Sequence, residues 1–385
     1  MTSKERHEIR YQRRKTKREE RKRKRAEEIG NFEEVFSFNN LYKATSKICK
    51  NVRWKQSTQN FERHSISKTA KNLKKLKENW KPKSYKHFVI NERGKTREID
   101  APHIEDRQIH KVLTKNVMLP LYQPILTSNN GASLENKGIR FSRERLIKDL
   151  KYHYKKYGFD GNIILLDFKK YFPNADHNIL YNRHNKLIYD NEMRNIVDAI
   201  VRLQKSNKGL PLGIEPSQLE MVAYASDLDN FIKCQLSIKC FGKYMDDYYI
   251  IVPPEKNVDE ILEKIKIKAK ECKLIINCHK TKVIKFGTPF RYCKIKYIIT
   301  NTGKIITRCS PKSIQILRRK IKKFNKMWIE RRIDEKDIYA SMNSSFAYVE
   351  SFNDHNRVLE LRRLFYSLFN FSCEKQEYFS KYAIY

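Results

Sequence analysis

The chain has 385 residues, 40% of them hydrophobic, and a formal net charge of +37 at pH 7. This length and apolar content suffice for two or three packed units. So large a positive charge disfavours a compact state unless a polyanion relieves the repulsion, which favours nucleic acid over a membrane surface as the partner. The sequence predicts no membrane span and no secretory signal. The eight cysteines form no C-x-x-C pair, which argues against a zinc ribbon or a disulfide framework and favours a reducing cytoplasm.

The N-terminal region is basic and has helix-forming composition. Residues 4–28 contain no Gly, no Pro and no apolar stripe, so an exposed helix that tracks phosphates and a disordered basic tail are both open. A nuclear import signal at "KRKR" is a weaker alternative. Residues 31–80 are also predicted to be helical, and their interleaved aromatic side chains more often fill a core than stack on bases.

Residues 86–110 change to short strand-like runs around a turn at Arg93 and Gly94. Lys95 and Arg97 lie two positions apart on the second run, so their side chains share one face of the strand. Two cations that project together suit a triphosphate. A solvated hairpin tip remains the simpler interpretation of this segment on its own.

The segment 160–300 contains the acidic residues of interest. "NIILLDF" at 162–168 is almost wholly apolar and predicts a strand, buried on both faces, that ends at Asp167. "SIKCFGKYMDDYYIIV" predicts two strands joined by a tight turn, with Asp246 and Asp247 at or beside that turn.

The remaining elements of this segment suggest how these strands are arranged. The stretch 209–232 opens with Gly and Pro and then predicts a helix with Pro216 in its first turn, and residues 257–272 predict another. "KLIIN" and "KVIKF" are predicted strands, and residues 310–385 are predicted to form a helical unit. This order is typical of a split βαβ sheet with helices on one face.

Such a sheet brings Asp167, Asp246 and Asp247 together at one edge. Clustered carboxylates repel unless cations hold them. Their hard oxygen ligands suit Mg²⁺, or alternatively Mn²⁺, and two such ions about 4 Å apart serve phosphoryl transfer. Together with the basic charge, the pattern predicts nucleotidyl transfer on a nucleic acid.

The sequence resembles the reverse transcriptases, and the similarity spans about residues 86–300 in the family's order. The motifs that carry it are "RGKTREIDAPHIEDRQIH", "NNGASLENKG" at 129–138, "LLDFKKYF" at 165–172, "GLPLGIEPSQ" at 209–218, "YMDD" at 244–247 and "NCHKTKV" at 277–283.

The resemblance implies an α+β right-hand polymerase fold with a split βαβ palm. The expected units are a basic arm (1–30), a helical extension (31–85), fingers (86–160), a palm with part of the fingers (161–300) and a helical thumb (301–385).

The resemblance also implies roles for individual residues at the catalytic centre. Asp167, Asp246 and Asp247 are the expected metal ligands, assisted by the backbone carbonyl of Phe168, and Lys280 is a candidate to protonate pyrophosphate.

Further roles concern the incoming nucleotide. Lys95 and Arg97 are expected to grip the triphosphate, and Phe172 to exclude a 2′-hydroxyl. Gly213 would permit close approach to the backbone, and Gln218 belongs to the Ser-Gln motif beside the nucleotide. Leu212 stands where retroviral enzymes have a polar Gln, so the sugar contact must differ here.

The resemblance is to bacterial enzymes of diversity-generating retroelements, retrons and phage-defence systems, with the defence-associated or unassigned bacterial group favoured. The expected partners are an RNA template, with a dedicated noncoding RNA as one option, a DNA product and deoxynucleoside triphosphates. A second protein subunit or a homo-oligomer remains open. The alternatives are a reverse transcriptase of a diversity-generating retroelement, a template-independent or RNA-synthesising polymerase on the same palm, and an inactive RNA-binding scaffold.

Overall fold

The computed structural model describes residues 2–92, 95–204 and 206–369, without the side chains of Glu92 and Lys95. The basic N-terminal segment is a helix, α1 (Ser3–Ile29). It begins at a capping box, in which the Glu5 N–H donates to the Thr2 hydroxyl and the Thr2 N–H donates to the Glu5 carboxylate. Of the two alternatives for residues 4–28, the structure shows the helix.

The predicted helical extension and the predicted hairpin follow. The extension comprises α2 (Phe32–Val35), α3 (Phe38–Cys49), α4 (Gln56–Arg63) and α5 (Ser65–Lys77), and the hairpin comprises β1 (Lys86–Glu92) and β2 (Lys95–Ala101). The aromatic residues of the extension divide between core and surface, since Phe36 is buried whereas Trp54 is 76% exposed. The turn at Arg93 and Gly94 lies outside the described residues.

A second group of helices surrounds the strand that ends before Asp167. They are α6 (Ile104–Val112), α7 (Leu119–Tyr122), α8 (Ile139–Tyr157), α9 (His177–Leu187), α10 (Asn191–Val201), α11 (Glu215–Tyr224) and α12 (Ser226–Asn230), and the strand between α8 and α9 is β3 (Asn162–Leu166).

A four-stranded antiparallel sheet forms the centre of the molecule, in the order β4-β5-β3-β6. The other strands are β4 (Phe241–Tyr244), β5 (Asp247–Val252) and β6 (Lys282–Lys285), and α13 (Val258–Glu271) connects β5 to β6. The connectivity strand, helices, hairpin, helix, strand confirms the split βαβ arrangement predicted from the sequence.

Both faces of this sheet are covered, rather than one as expected. Ile164 and Ile250 pack into a core with α9 and α11 to α13 on one face. Ile163 and Ile251, one position away, pack on the other face against α8 and a smaller sheet. Successive side chains of a strand point to opposite faces of the sheet, so neighbouring residues enter different cores.

The smaller sheet and the last helices complete the core on this second face of the central sheet. The sheet has the order β7-β8-β9, with β7 (Phe290–Tyr292), β8 (Ile295–Ile299) and β9 (Ile305–Arg308), and the helices are α14 (Pro311–Ile329), α15 (Glu335–Glu350) and α16 (His355–Leu368). The β8–β9 pairing crosses residue 300, where the sequence placed the boundary between palm and thumb. Part of the predicted helical unit, residues 370–385, lies outside the described residues.

One predicted strand is wrong. "KLIIN" forms no strand, and only Ile276 makes an isolated bridge, to Phe168. The segment leaves α13 through a turn at Lys273, whose φ is +53°, and then runs beside the residues that follow the end of β3. Among the described helices, none combines the length and apolar character that crossing a membrane would require.

A buried charge network joins the four helices α7, α9, α10 and α11. The His184 ring contacts the Asp198 carboxylate at 2.6 Å and the Glu220 carboxylate at 3.1 Å, and the Tyr122 hydroxyl donates to Glu220 at 2.6 Å. Burial alone lowers the pKa of His184, but Glu220 and Asp198 raise it to about 9. The imidazolium therefore holds α11, which carries Gln218, against α9 and α10.

This network predicts a pH-dependent stability. Folding raises the pKa of His184 from its ordinary 6.5 to about 9, so protonation of this side chain stabilises the folded state. This stabilisation is complete below pH 6.5 and is lost as the pH rises through about 9. The free energy of unfolding, measured by denaturant titration, should fall between pH 6.5 and 9. A His184→Gln variant should lose this part of the dependence; an unchanged profile in the variant would show that His184 is not its source.

Candidate active site

The two adjacent aspartates lie on a tight β-hairpin, as the sequence predicts. Tyr244 on β4 pairs with Asp247 on β5, so Met245 and Asp246 form a two-residue turn. Met245 has φ +56°, in the left-handed region that non-glycine residues rarely adopt. The turn places Asp246 at the tip and Asp247 at the start of a buried strand.

A buried ion pair lies beneath this hairpin. The Lys243 ammonium contacts the Asp229 carboxylate on α12 at 2.5 Å, and both residues are 1% exposed. The same carboxylate accepts a hydrogen bond from the Tyr248 hydroxyl at 2.7 Å, and Lys243 also donates to the Val222 carbonyl at 3.0 Å. Lys243 and Tyr248 are direct partners across the two strands, so α11 and α12 are attached to the hairpin next to its turn.

The backbone of Lys243 makes a further connection to the 129–138 loop. Its N–H donates to the Asn129 carbonyl at 3.2 Å, and its carbonyl accepts from the Gly131 N–H at 2.9 Å. Sequence reasoning assigned no role to Lys243. A lysine in a strand ordinarily lies at the surface, so the sequence did not indicate that Lys243 is buried.

Asp167 immediately follows β3 and reaches the same edge of the sheet. The last β3–β5 pair is Leu166 with Tyr248, so the next positions along the two antiparallel strands are Asp167 and Asp247. Both residues line one cleft of about 540 Å³. The register thus brings together two of the three predicted carboxylates, and the turn places Asp246 beside them.

The Asp167 carboxylate has two partners on the segment after α13. Lys280 donates to its two oxygens at 2.8 and 2.9 Å, and Asn277 donates through its side-chain amide at 3.0 Å. The hydrogen bond to Asp167 raises the pKa of Lys280 above its ordinary value, and the charges of Asp246 and Asp247 act in the same direction. Lys280 thus lies beside Asp167, and its role toward pyrophosphate stays a prediction; Asn277 is an additional contact.

Phe168 fixes the chain direction after Asp167. It is buried between Tyr171 and Tyr248, and its bridge to Ile276 aligns the two segments. The Asn277 N–H donates to the Asp167 carbonyl at 2.8 Å. Asp167 is therefore held through its backbone as well as its side chain.

The donor set fits a divalent cation chemically, although the three acids do not form a closed cage. Within the described ranges, no group of three or more His, Cys, Asp or Glu side chains is arranged to hold a metal ion. Carboxylates repel one another unless a cation lies between them, and here the Lys280 ammonium is the cation that Asp167 contacts. Hard carboxylate oxygens facing one cleft are the ligands that Mg²⁺ and Mn²⁺ prefer.

The predicted nucleotide-binding residues lie in three different places. Arg97 is exposed on β2, whereas the side chain of Lys95 lies outside the described residues. Phe172 is half-buried in the turns after Asp167, and Gln218 is half-buried on α11. The Phe172 carbonyl accepts from the Leu210 N–H at 3.2 Å, so Phe172 adjoins the "GLPLG" segment.

Gly213 lies in close contact with the backbone at the end of β2. Its φ is +120°, and a Cβ atom there would lie 2.9 Å from the Asp100 carbonyl oxygen. The Asp100 N–H donates to the Leu212 carbonyl at 2.8 Å. The glycine therefore permits the end of β2 to pack on this turn. The close approach of template or nucleotide expected from the sequence stays a prediction.

Basic side chains that sequence reasoning missed line the same cleft. Besides Lys280 they are Lys282, Arg291, Lys294 and Lys296. Three of them belong to the hairpin of β7 and β8, whose sequence "FRYCKIKY" places cations between apolar residues. That alternation was the available signal. The cleft thus has an acidic edge and a basic wall.

Comparison with known proteins identifies the family. Residues 81–317, more than half of the chain, match the family described as reverse transcriptase (RNA-dependent DNA polymerase). The chain belongs to the reverse transcriptase family. This membership confirms the α+β palm fold, and the family works with divalent metal ions, RNA templates and deoxynucleoside triphosphates.

Similarity to individual proteins is lower. A solved telomerase of Candida albicans, in complex with a TWJ fragment of telomeric RNA, aligns with a TM-score of 0.45 and 12% identity. The alignment covers 83% of this reverse transcriptase and 61% of the telomerase chain, so this chain spans less than two thirds of that protein. No curated protein matches the chain.

The buried ion pair generates a stability prediction. Lys243→Met leaves the Asp229 carboxylate buried without a cation, and loss of one partner from such a pair costs about 3 to 5 kcal/mol. The double variant Lys243→Met/Asp229→Asn removes both charges and keeps an acceptor for Tyr248. Denaturant unfolding should show the double variant to be more stable than the single one. Equal losses in both would contradict the role assigned to the ion pair.

Proposed function

We propose that this reverse transcriptase is an RNA-directed DNA polymerase that adds deoxynucleotides to a primer 3′-hydroxyl. The observation that carries the proposal is the register of β3 and β5, which leads Asp167 and Asp247 to one edge of the sheet. Acids held rigidly beside a basic cleft suit a reaction in which phosphate charge must be stabilised.

In this proposal Asp167, Asp246 and Asp247 hold divalent ions, Mg²⁺ in the first instance, with the carbonyl of Phe168 assisting. The ions would lower the pKa of the primer hydroxyl and stabilise the charge of the pyrophosphate leaving group. Asn277 orients the Asp167 carboxylate through its amide. Lys280 holds a proton at Nζ beside the same carboxylate, in reach of a leaving group bound there.

The incoming nucleotide is assigned to the space between the β1–β2 hairpin and the sheet. Arg97, together with Lys95, grips the triphosphate from the hairpin. Phe172 and Gln218 flank the sugar and base, and support for this comes from the contact of Phe172 with the 209–218 segment. Gly213 acts indirectly, because its contact with Asp100 sets the position of the hairpin.

The biological setting we propose is bacterial, with a role in defence against phage and a dedicated noncoding RNA as template. Support comes from Ser217 and Gln218, which resemble the Ser-Gln motif of the bacterial enzymes. Sequencing the RNA that co-purifies with the protein tests this: one short RNA species supports a dedicated template, and a heterogeneous population contradicts it.

The double variant Asp246→Asn/Asp247→Asn tests the catalytic assignment. It removes two charges and keeps the side-chain shape, so primer extension on an RNA template should fall by at least about a hundredfold. Circular dichroism and RNA binding should be unchanged. The control Glu260→Gln/Glu263→Gln removes the same charge from the exposed surface of α13 and should extend primers normally. Full activity of the aspartate variant would refute the assignment.

Phe172→Ala tests the substrate class. If the ring lies beneath the nucleotide sugar, its removal should admit ribonucleotides, whereas Phe172→Tyr, which keeps the ring, should still exclude them. Deoxynucleotide use should fall as well, because misplacement by about 1 Å can cost roughly a hundredfold. Primer extension with each nucleotide class measures both effects. Unaltered discrimination in the alanine variant would place the steric gate elsewhere.

A further inference from the structure

The charges of α1 are unevenly distributed around the helix, and most of the cations lie on one broad side. At 3.6 residues per turn, positions spaced by three and four form a stripe along one side. Every residue of this stripe is a cation: Arg6, Arg10, Arg13, Lys17, Arg21 and Lys24. We call these six residues the basic stripe. All six are exposed, and 18 steps of 1.5 Å give the stripe a length of about 27 Å.

The side of α1 roughly opposite the basic stripe has a different composition. At the same spacing it presents Glu5, Glu8, Gln12, Thr16 and Glu19, which are acidic or neutral. The high net charge of the helix is therefore not spread evenly, as it would be in a segment that serves only solubility. A polyanion would be attracted most strongly to the side that carries the basic stripe. Arg14, Arg18 and Arg25 widen this side, and Arg23 lies among the acidic residues of the other.

The way α1 joins the body directs the basic stripe outward. Ala26 and Ile29 pack against the core formed by the N-terminal helices, and the Tyr189 hydroxyl donates to Glu19 at 3.4 Å. By helical geometry Ala26 and Ile29 lie about 120° to 180° around the axis from the stripe. Residues 3–21 are exposed throughout, so α1 is attached at its C-terminal end only.

We propose that the basic stripe of α1 is a binding surface for the RNA phosphate backbone, separate from the catalytic cleft. A cation about every 5 Å along a rigid helix complements a regular line of phosphates. A membrane surface fits less well, because α1 has no apolar face to insert: Ile9 and Tyr11 point to nearly opposite sides. The choice of RNA as the polyanion rests on the proposed function.

A matched pair of variants of the full chain tests the proposal. Arg10, Lys17 and Arg21 are changed to Gln in one, and Lys4, Lys15 and Arg23, which lie off the stripe, in the other. Both lose three charges, and Gln preserves helix propensity. RNA affinity is measured by fluorescence anisotropy over a range of salt concentrations. The slope of log affinity against log salt concentration falls in magnitude by about 0.7 to 0.9 for each lost phosphate contact. We therefore expect this slope to fall by about 2 in the stripe variant and to stay nearly unchanged in the control.

Equal slope changes in the two variants would overturn the proposal, since they would report total charge and not the stripe. An unchanged slope in the stripe variant would overturn it as well. Vesicles rich in phosphatidylserine provide a further arm: stripe-dependent vesicle binding with unaltered RNA binding would assign the surface to a membrane instead.

The test remains separate from that of the proposed function. The same variants are combined with Asp246→Asn/Asp247→Asn, so RNA binding is read without catalysis. A stripe-dependent slope supports the RNA surface even in a protein that extends no primer. If the stripe variant with intact aspartates extends primers normally and its salt slope is unchanged, the RNA-binding surface is refuted. The proposed function is then unaffected.

Discussion

The arrangement of the three acids at the sheet edge depends on one buried lysine. Lys243 lies inside a strand, 1% exposed, and its ammonium contacts an equally buried aspartate on α12. Its backbone is paired at once with β5 and with the 129–138 loop. A charge in this position is costly unless paired and hydrogen-bonded, so the hairpin, α12 and the loop take up the one arrangement that satisfies it. The strained turn at Met245 is held between these contacts.

The second lysine of the site has the opposite character. Lys280 also pairs with an aspartate, but its side chain is 51% exposed. An exposed lysine can leave its partner at little cost because water replaces the contact, whereas Lys243 cannot. The two lysines therefore have different roles beside the acids. One fixes the frame of the acids, and the other neutralises Asp167 in a way that a metal ion or a phosphate can replace.

Much of this site could be predicted from sequence because its elements follow simple periodicity. The apolar run before Asp167 and the alternation around Asp246 and Asp247 specify strands whose register brings the acids together. "KLIIN" has the same apolar character but forms only a bridge, because it pairs with the two residues after β3, beyond the point where the strand ends. Local composition does not show where β3 ends.

The contacts that sequence reasoning missed are those in which residue type and environment disagree. A lysine in a strand is ordinarily read as exposed, so Lys243 gave no sign of its burial. Asn277 is the first residue of a recognised motif, yet its contact with Asp167 depends on a pairing across more than a hundred residues. Such contacts are decided by tertiary packing, which overrides local preference.

The β1–β2 hairpin shows what this dependence on packing implies for the nucleotide site. Three successive residues, 88–90, are exposed, although adjacent strand positions face opposite sides, so neither side of the hairpin is covered along this run. A two-stranded hairpin of this kind is marginal by itself. At its inner end it is connected to the turn at Leu212 and Gly213, where Asp100 donates a backbone hydrogen bond and the absent Cβ leaves room for its carbonyl. The position of Arg97 is therefore set by the same turn that leads into α11, the helix that carries Gln218. Arg97 and Gln218, both assigned to the nucleotide, are thus connected through backbone contacts rather than through side chains.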